Sequence, residues 1–236
     1  MSEHARTWLI TGSTIGSALA ARYATSASVR KVIYTWHSRE PRFDSPKIQT
    51  MQLDLTCEDA VANALGNLEQ LDGVINAMGF LHDNIHKPEK TISRFEPDAL
   101  LKSIELNALP TALLAKHCRQ RLKASSSGVF AAISAKVGSI EDNRLGGWYS
   151  YRASKAALNM LLKTLAIEWR IGLPNTCVAA LHPGTVSSPL SEPFTGRHHS
   201  PVTPAESASN LKDLIDQLTP DKTGRFWSWD GTELPW

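Results

Sequence analysis

Cysteine is scarce in this sequence, and the three cysteines lie far apart. Cys57, Cys118 and Cys177 are odd in number and form no CxxC pair, so neither a disulfide framework nor a cysteine metal site is expected. Separated free thiols are typical of reduced proteins of the cytosol. The first apolar segment, at residues 8–10, begins too early and is too short for a signal peptide. The sequence therefore predicts a cytoplasmic protein.

Net charge and long apolar runs are lacking as well. The chain has 25 basic and 23 acidic residues, a formal net charge of +2, which is too even to indicate nucleic acid or a membrane surface as the main partner. No stretch approaches the ~18 apolar residues of a membrane span. At 236 residues, 42% of them hydrophobic, the chain can bury a large core in one domain covering 1–236.

What is present is an alternation of strand-length apolar runs with helix-length amphipathic stretches. The pattern predicts strands over 7–11, 31–36, 48–53, 73–77, 128–134, 176–181 and 225–229. It predicts helices over 16–26, 57–68, 97–122, 149–171 and 204–218. Such alternation is typical of βαβ units. We expect a single-domain α/β protein with a Rossmann-type doubly wound sheet of seven parallel strands and helices on both faces.

Two long segments, 80–96 and 184–203, show no regular pattern. Both follow predicted strands, at the carboxyl edge where doubly wound sheets bind ligands, and loops of this length are usually functional or mobile. They contain His82, His86, His198 and His199. These histidines lack the spacing of metal ligands, so we expect surface histidines and no metal.

The first predicted strand leads into a glycine-bearing turn, TGSTIGSALA (11–20). Gly12 permits a tight turn, and Gly16 lets the backbone approach a pyrophosphate at a helix N-terminus. Ala18 stands where dinucleotide-binding fingerprints have a third glycine. A turn made only for packing remains the alternative. The candidate phosphate-binding residues are Gly12, Ser13, Thr14, Ile15 and Gly16.

The end of the second strand indicates which nucleotide fits. NAD sites usually offer a carboxylate there to the ribose hydroxyls, but His37, Ser38 and Arg39 come first and no carboxylate precedes Glu40. A hydroxyl and a guanidinium can donate hydrogen bonds to a 2′-phosphate. The segment therefore favours NADP(H) over NAD, unless it is only a solvated turn.

Tyr151 and Lys155 lie four residues apart in a strongly helical pattern, which places both on one helix face. A nearby ammonium favours phenolate and lowers the pKa of the tyrosine. A phenol tuned in this way can pass a proton to or from a carbonyl oxygen. This spacing alone is common by chance. The glycine turn upstream and His182-Pro183-Gly184 downstream strengthen the interpretation of the two residues as a catalytic pair.

From residue 7 to about 230 the chain resembles the short-chain dehydrogenase/reductase family. Within that family, SAKVGSI followed by LGGWYSYRASKAALNML resembles the C-factor/sniffer-like carbonyl reductases. The resemblance implies that Tyr151 is the acid/base and that Lys155 binds the nicotinamide ribose and lowers the tyrosine pKa. It also implies that Asn107 holds a water next to the lysine.

The same resemblance implies further cofactor contacts. They are Asp54 and Leu55 at the adenine, Asn76, Ala77 and Met78 before Gly79, and Pro183, Gly184, Thr185 and Val186 at the nicotinamide, with Ser188 at the family's usual threonine position. An acid at a helix N-terminus remains the alternative for Asp54.

The catalytic serine is where the sequence departs from the family pattern SSxxG. Aligned on Gly138, the catalytic position holds Ala135, and Ser134 comes one residue early. Successive strand side chains point to opposite faces, so Ser134 serves only if the strand end turns it inward. We expect Ser134 in this role, with Ser139 as the second candidate.

These patterns predict reversible hydride transfer between NADPH and a small carbonyl or alcohol substrate. Helices 97–122 and 149–171 are long and apolar, and the family pairs such helices across a two-fold axis, so a homodimer or homotetramer is expected. The alternative is an NADP(H)-binding sensor or signalling protein with little turnover. Ala135 and the resemblance to C-factor favour that alternative.

Overall fold

The computed structural model describes residues 5–194 and 200–236, so His198 and His199 lie outside the described residues. Its strands form one sheet in the order β3-β2-β1-β4-β5-β6-β7-β8. The strands are β1 Arg6–Thr11, β2 Val29–Trp36, β3 Ile48–Gln52, β4 Gly73–Asn76, β5 Gly128–Ile133, β6 Thr176–His182, β7 Arg225–Ser228 and β8 Glu233–Leu234. All neighbouring pairs through β7 are parallel, which confirms the seven predicted strands.

The eighth strand was not predicted. It pairs antiparallel with β7 through Phe226–Leu234 and Trp227–Glu233. Two residues are too few to show the alternation that identifies a strand in a sequence. The sheet is therefore parallel with one short antiparallel edge, a common addition to doubly wound folds.

The part of the chain that the structure describes contains six α-helices. They are α1 Thr14–Ala24, α2 Glu58–Gly66, α3 Pro97–Asn107, α4 Leu109–Leu122, α5 Tyr149–Gly172 and α6 Pro204–Ile215. The single helix predicted over 97–122 is wrong, because it divides at Ala108. Pro110 follows at once, and proline lacks an N–H donor and crowds the preceding turn.

The hydrophobic core has two layers, one on each face of the sheet. Leu9, Phe130 and Val178 belong to the layer under α2, α4 and α5, while Trp8 and Ile10 belong to the layer under α1 and α6. Adjacent strand residues point to opposite faces, so strands buried on both sides are apolar throughout. The predicted placement of helices on both faces is confirmed.

The strand order reverses between β1 and β4. From β1 the chain adds β2 and β3 on one side of the sheet, and from β4 it adds the later strands on the other side. In doubly wound folds a ligand crevice opens at this switch, beyond the carboxyl ends of the strands. The glycine turn, the end of β4 and the end of β5 all lie at this edge. Across residues 5–194 and 200–236, no helix has both the length and the apolar character needed to cross a membrane.

Candidate active site

The glycine turn after β1 forms a cradle of backbone. Gly12 has φ +93°, and a Cβ there would overlap the carbonyl group of Ala77. A Cβ on Gly16 would overlap the carbonyl oxygen of Thr11. Ser13 gives α1 no side-chain cap, so the first N–H groups of the helix, at Thr14 and Ile15, are free to meet an anion. The cradle fits a phosphate group.

Asn76 locks this cradle to the centre of the sheet. Its Oδ1 accepts hydrogen bonds from Thr11 Oγ1 at 2.6 Å and from the Met78 N–H at 3.0 Å. Its Nδ2 donates to Thr111 Oγ1 at 2.8 Å. Asn76 thus ties β1, β4 and α4 together and sets the path of Ala77 and Met78 below the glycine turn. Thr11 and Thr111 were missed because nothing in the sequence indicates that they meet.

The expected adenine end of the crevice is a cavity of about 360 Å³ next to the end of β2. It is lined by His37, Gln52, Leu53, Asp54, Ala60 and Ala64. Ser38 and Arg39, the next two residues after His37, are exposed, and within the described ranges Arg39 has no ion-pair partner. Gln52 Nε2 donates to the His37 carbonyl at 3.0 Å and holds this turn in place.

Asp54 and Leu55 differ in what they offer this cavity. Asp54 Oδ1 accepts from the Thr56 hydroxyl at 2.7 Å and from the Thr56 N–H at 2.9 Å, and the hydroxyl bond is the main cause of the lowered pKa of Asp54. Cys57, not Asp54, is the residue that precedes α2. The Leu55 side chain is buried in the core, so only its backbone is available to a ligand.

The candidate catalytic residues, Tyr151 and Lys155, lie together on the buried face of α5. Lys155 Nζ donates to the Ile133 carbonyl at 3.0 Å and lies 5.9 Å from the centroid of the Tyr151 ring. Burial raises the pKa of the Tyr151 phenol above its ordinary value and lowers the pKa of Lys155 to about 8. The predicted lowering of the tyrosine pKa by Lys155 is therefore not seen, because desolvation outweighs the attraction between the two groups.

Asn107 is the last residue of α3 and joins three segments. Its Oδ1 accepts from the Phe80 N–H at 2.7 Å, and its Nδ2 donates to the Phe80 carbonyl at 2.8 Å and to Ser154 Oγ at 2.9 Å. Both Asn107 Oδ1 and Lys155 Nζ lie 3.8 Å from the position that a Cβ on Gly79 would take. The asparagine and the lysine therefore border the same small space above Gly79.

Ser134 lies away from the phenol, contrary to expectation. Its hydroxyl is buried and donates to Asn159 Oδ1 at 2.6 Å. Asn159 is eight residues after Tyr151 on α5, which is about 12 Å along the helix axis. Ala135 occupies the aligned position, and the Ser139 hydroxyl accepts from the Asp142 N–H at 3.0 Å. Ser134 packs β5 against α5, and the structure does not bring it to the reacting position.

The segment after β6 closes the other side of the site. Gly184 has φ +77°, and a Cβ there would lie 3.1 Å from the ring of Trp229. The Pro183 carbonyl accepts from Ser207 Oγ at 3.2 Å, and the Thr185 carbonyl accepts from the Val202 N–H at 3.0 Å. Val186 is buried and forms a parallel bridge with Val202. The Ser188 and Ser191 hydroxyls lie 3.1 Å apart in a turn of their own.

Segment 80–96 is held against the start of α5 by a buried carboxylate that was not predicted. Glu89 is 4% exposed and accepts from both the hydroxyl and the N–H of Ser150. The Glu89 carbonyl also accepts from the Trp148 N–H at 2.5 Å. A carboxylate at a helix N-terminus is favoured by the helix dipole. The only signal in the sequence was the irregular character of 80–96.

The two histidines of the long loops that the structure describes, His82 and His86, make ordinary polar contacts. His82 Nε2 lies 3.3 Å from the Pro189 carbonyl oxygen, and His86 contacts Asp83. In the two ranges that the structure describes, no three histidine, cysteine, aspartate or glutamate side chains gather as metal ligands.

Comparison with known proteins identifies the family. The family model for short chain dehydrogenases matches residues 6–197. The chain belongs to the short-chain dehydrogenase/reductase family. It is 32% identical over 188 residues to 1-hydroxy-2-glutathionyl-2-methyl-3-butene dehydrogenase from Rhodococcus sp. (strain AD45), a match covering 78% of each chain. It is 30% identical over 138 residues to C-signal from Myxococcus xanthus, covering 58% of this chain and 78% of the relative.

Solved structures share the fold of this short-chain dehydrogenase/reductase over nearly its whole length. The carbonyl reductase Sniffer of D. melanogaster matches with a TM-score of 0.85 and 23% identity, covering 99% of this chain and 100% of that one. The NADPH-bound carbonyl reductase from chicken fatty liver matches with a TM-score of 0.87 and 23% identity, covering 99% of this chain and 95% of that one. With C-signal among the relatives, the predicted family and its C-factor/sniffer-like branch are confirmed. The protein is an oxidoreductase of this family.

Proposed function

We propose that this oxidoreductase transfers hydride reversibly between NADP(H) and the carbonyl or alcohol group of a small molecule, with Tyr151 as acid/base. The observation that carries the proposal is the buried pair of Tyr151 and Lys155 on one face of α5. The pair lies at the sheet edge where the backbone cradle of Gly12 and Gly16 opens. A phosphate cradle and a proton donor at one edge are what this chemistry needs from a protein.

The residues at the carboxyl edge fit a dinucleotide. The turn from Gly12 to Gly16 would hold the pyrophosphate, the cavity beside Asp54 the adenine, and the segment from Pro183 to Val186 the nicotinamide. When bound, the cofactor supplies or accepts the hydride. Arg39 is exposed, and no carboxylate lies between the end of β2 and Arg39, which supports NADP(H) over NAD. The NADPH-bound chicken carbonyl reductase, which shares the fold, supports the same choice.

The protein residues move and hold the proton. Burial keeps the Tyr151 phenol protonated at neutral pH, so in reduction it can donate its proton to the substrate oxygen. In the reverse direction it would accept the proton of an alcohol. Lys155 is fixed by the Ile133 carbonyl and borders the space above Gly79, where it would bind the nicotinamide ribose. Asn107 fixes the walls of that space.

One observation favours a second function. Ala135 occupies the family's catalytic serine position, and the hydroxyl of the neighbouring Ser134 bonds to Asn159 instead. A protein that lacks this hydrogen bond to the substrate carbonyl could bind NADP(H) and signal with little turnover. The similarity to C-signal points the same way.

Oxidation of NADPH over a panel of aldehydes, ketones and quinones separates the two functions. The proposed reductase consumes NADPH with some members of the panel, and Tyr151→Phe abolishes most of that consumption while it keeps NADPH affinity. Tight NADPH binding with no turnover on any member would favour the signalling function instead.

A further inference from the structure

Aromatic rings from three separate segments form a chain of contacts that ends at the Tyr151 ring. The aromatic cluster consists of His82, Trp148, Tyr151 and Phe194. The Trp148 ring lies 6.1 Å from the Tyr151 ring and 5.2 Å from the Phe194 ring, both edge to face, and His82 lies 5.4 Å from Phe194. Phe194 remains 37% exposed and Trp148 partly exposed. Ring surface beside the phenol is therefore open to a ligand.

Trp148 takes a backbone conformation that an L-residue rarely adopts. It has φ +53° and ψ +45°, and in the described ranges it is the only non-glycine residue with positive φ. Gly146 and Gly147 precede it with φ +63° and +64°, and a third glycine would fit this turn with less strain. A strained position at an active site persists where the surrounding structure holds it.

Glu89 holds Trp148 in this conformation. Its carbonyl accepts the Trp148 N–H, and its buried carboxylate accepts from the N–H and the hydroxyl of Ser150, two residues further on. The backbone on both sides of the Trp148 ring is thereby fixed from segment 80–96. The ring is directed toward Tyr151 at a cost to the backbone, which indicates that the ring itself is needed there.

Charge decides which ligand suits this surface. The Lys155 ammonium lies 5.9 Å from the Tyr151 ring centroid, so a cationic ligand would be repelled although aromatic rings attract cations elsewhere. None of the four members of the aromatic cluster is a carboxylate or an ammonium. A neutral, flat π-system is the ligand that edge-to-face and offset stacking favour.

We propose that Trp148 is a specificity-determining residue that selects flat, conjugated carbonyl compounds by stacking beside Tyr151. This inference rests on the proposed function, because it names the substrate class of the same site.

The experiment compares benzaldehyde with cyclohexanecarbaldehyde, two aldehydes of similar size of which only the first has a flat ring. Each is titrated calorimetrically into the protein with NADP⁺ bound, where the aldehyde cannot be reduced, and each is also tested as a substrate with NADPH. Trp148→Gly removes the ring and suits the positive φ, so the variant should fold. Trp148→Tyr keeps an aromatic ring, and Leu145→Ala changes an exposed apolar side chain of the same loop as a control.

The wild type should bind benzaldehyde roughly 3- to 10-fold more tightly than cyclohexanecarbaldehyde, the range that an aromatic contact supplies. Trp148→Gly should abolish this preference, whereas Trp148→Tyr and Leu145→Ala should keep most of it. Three results would overturn the inference: an unchanged preference in Trp148→Gly, an equal loss of affinity for both aldehydes in that variant, or no preference in the wild type. A preference that is lost in Trp148→Gly without any NADPH oxidation would support the stacking site and contradict the proposed hydride transfer.

Discussion

At the scale of single residues, burial governs the protonation of Tyr151 and Lys155. Lys155 is 2% exposed, and its one hydrogen bond to a described residue goes to a backbone carbonyl. Desolvation disfavours the ammonium, and among the residues that the structure describes no carboxylate compensates for it. The folded protein therefore holds this proton less tightly than the unfolded chain does.

This difference predicts how stability depends on pH. The pKa of Lys155 is about 8 in the folded state against 10.5 for an ordinary lysine, so between these values the unfolded chain binds more protons. The contribution of Lys155 to the free energy of unfolding is lowest below pH 8, and it rises by about 1 kcal/mol per pH unit between the two pKa values. Lys155→Met should therefore be more stable than the wild type at pH 7.5, and this difference in the free energy of unfolding should be smaller at pH 9.5. A difference that does not change with pH would contradict the assigned pKa.

Arg39 carries the prediction on cofactor choice. Arg39→Ala should weaken NADPH binding by about 1–3 kcal/mol, the value of a charge-assisted hydrogen bond, and should leave NADH binding nearly unchanged. Arg42→Ala, an exposed arginine three residues further on, is the matched control. Dissociation constants of both cofactors for the three proteins test this. Equal losses for NADPH and NADH in Arg39→Ala would show that the guanidinium does not read the 2′-phosphate.

The chemistry of these residues could be predicted from the sequence, whereas the contacts around them could be predicted only in part. Tyr151 and Lys155 share a helix face because a spacing of four dictates it, and the cradle follows from Gly12 and Gly16. Ser134 could not be placed, because the direction of a side chain at a strand end depends on packing against Asn159. Trp148 and Glu89 are 59 residues apart in the sequence, and no local pattern shows that they meet.

At the scale of elements, the N-terminus of α5 sets the position of Tyr151. The Glu89 carboxylate bonds to Ser150, one residue before Tyr151, and satisfies a free N–H of the first turn. Arg152 Nε donates to the Gly147 carbonyl at 2.9 Å, and its Nη1 donates to the Val137 carbonyl at 3.3 Å. The helix start is thus connected to two loops that border the site.

Replacing that carboxylate should weaken both the fold and the site. Glu89→Gln keeps the shape but loses the charge, so we expect a loss of about 1–3 kcal/mol in the free energy of unfolding. Glu141→Gln, at an exposed glutamate, should change stability very little. Denaturant unfolding of both variants provides the measurement. A Glu89→Gln protein as stable as the wild type would show that the charge of the buried carboxylate contributes nothing to stability.

Element boundaries show where sequence patterns stop being informative. The ends of the seven parallel strands were predicted within two residues, although β3 mixes apolar and polar residues instead of forming an apolar run. The break between α3 and α4 could have been predicted from Pro110, whereas β8 has no pattern of its own and forms only because β7 offers an edge.

At the scale of the whole molecule, α3 and α5 present apolar side chains to solvent. Leu101 is 65% exposed on α3, and Met160, Ile167 and Ile171 are 65%, 58% and 90% exposed on α5. The spacings of seven and four place the three α5 side chains along one stripe. A patch of this kind is typical of a protein–protein interface.

We therefore predict a homodimer or homotetramer that buries this stripe. Light scattering at micromolar concentration should give at least twice the mass of the chain, and Ile167→Glu should shift the protein toward the monomer. Ile140→Glu, at an exposed apolar residue outside the two helices, should leave the assembly intact. A monomeric wild type would refute the prediction.

The central claim concerns the proton that Tyr151 holds, and the single-turnover rate of Tyr151→Phe tests it most directly. Phenylalanine keeps the ring beside Trp148 and removes only the hydroxyl. With NADPH saturating and a substrate that the wild type reduces, the rate should fall by roughly 10²–10⁴, the usual contribution of a positioned acid. NADPH affinity should stay within a few-fold of the wild type. A single-turnover rate equal to that of the wild type would show that Tyr151 is a packing residue and would contradict the mechanism.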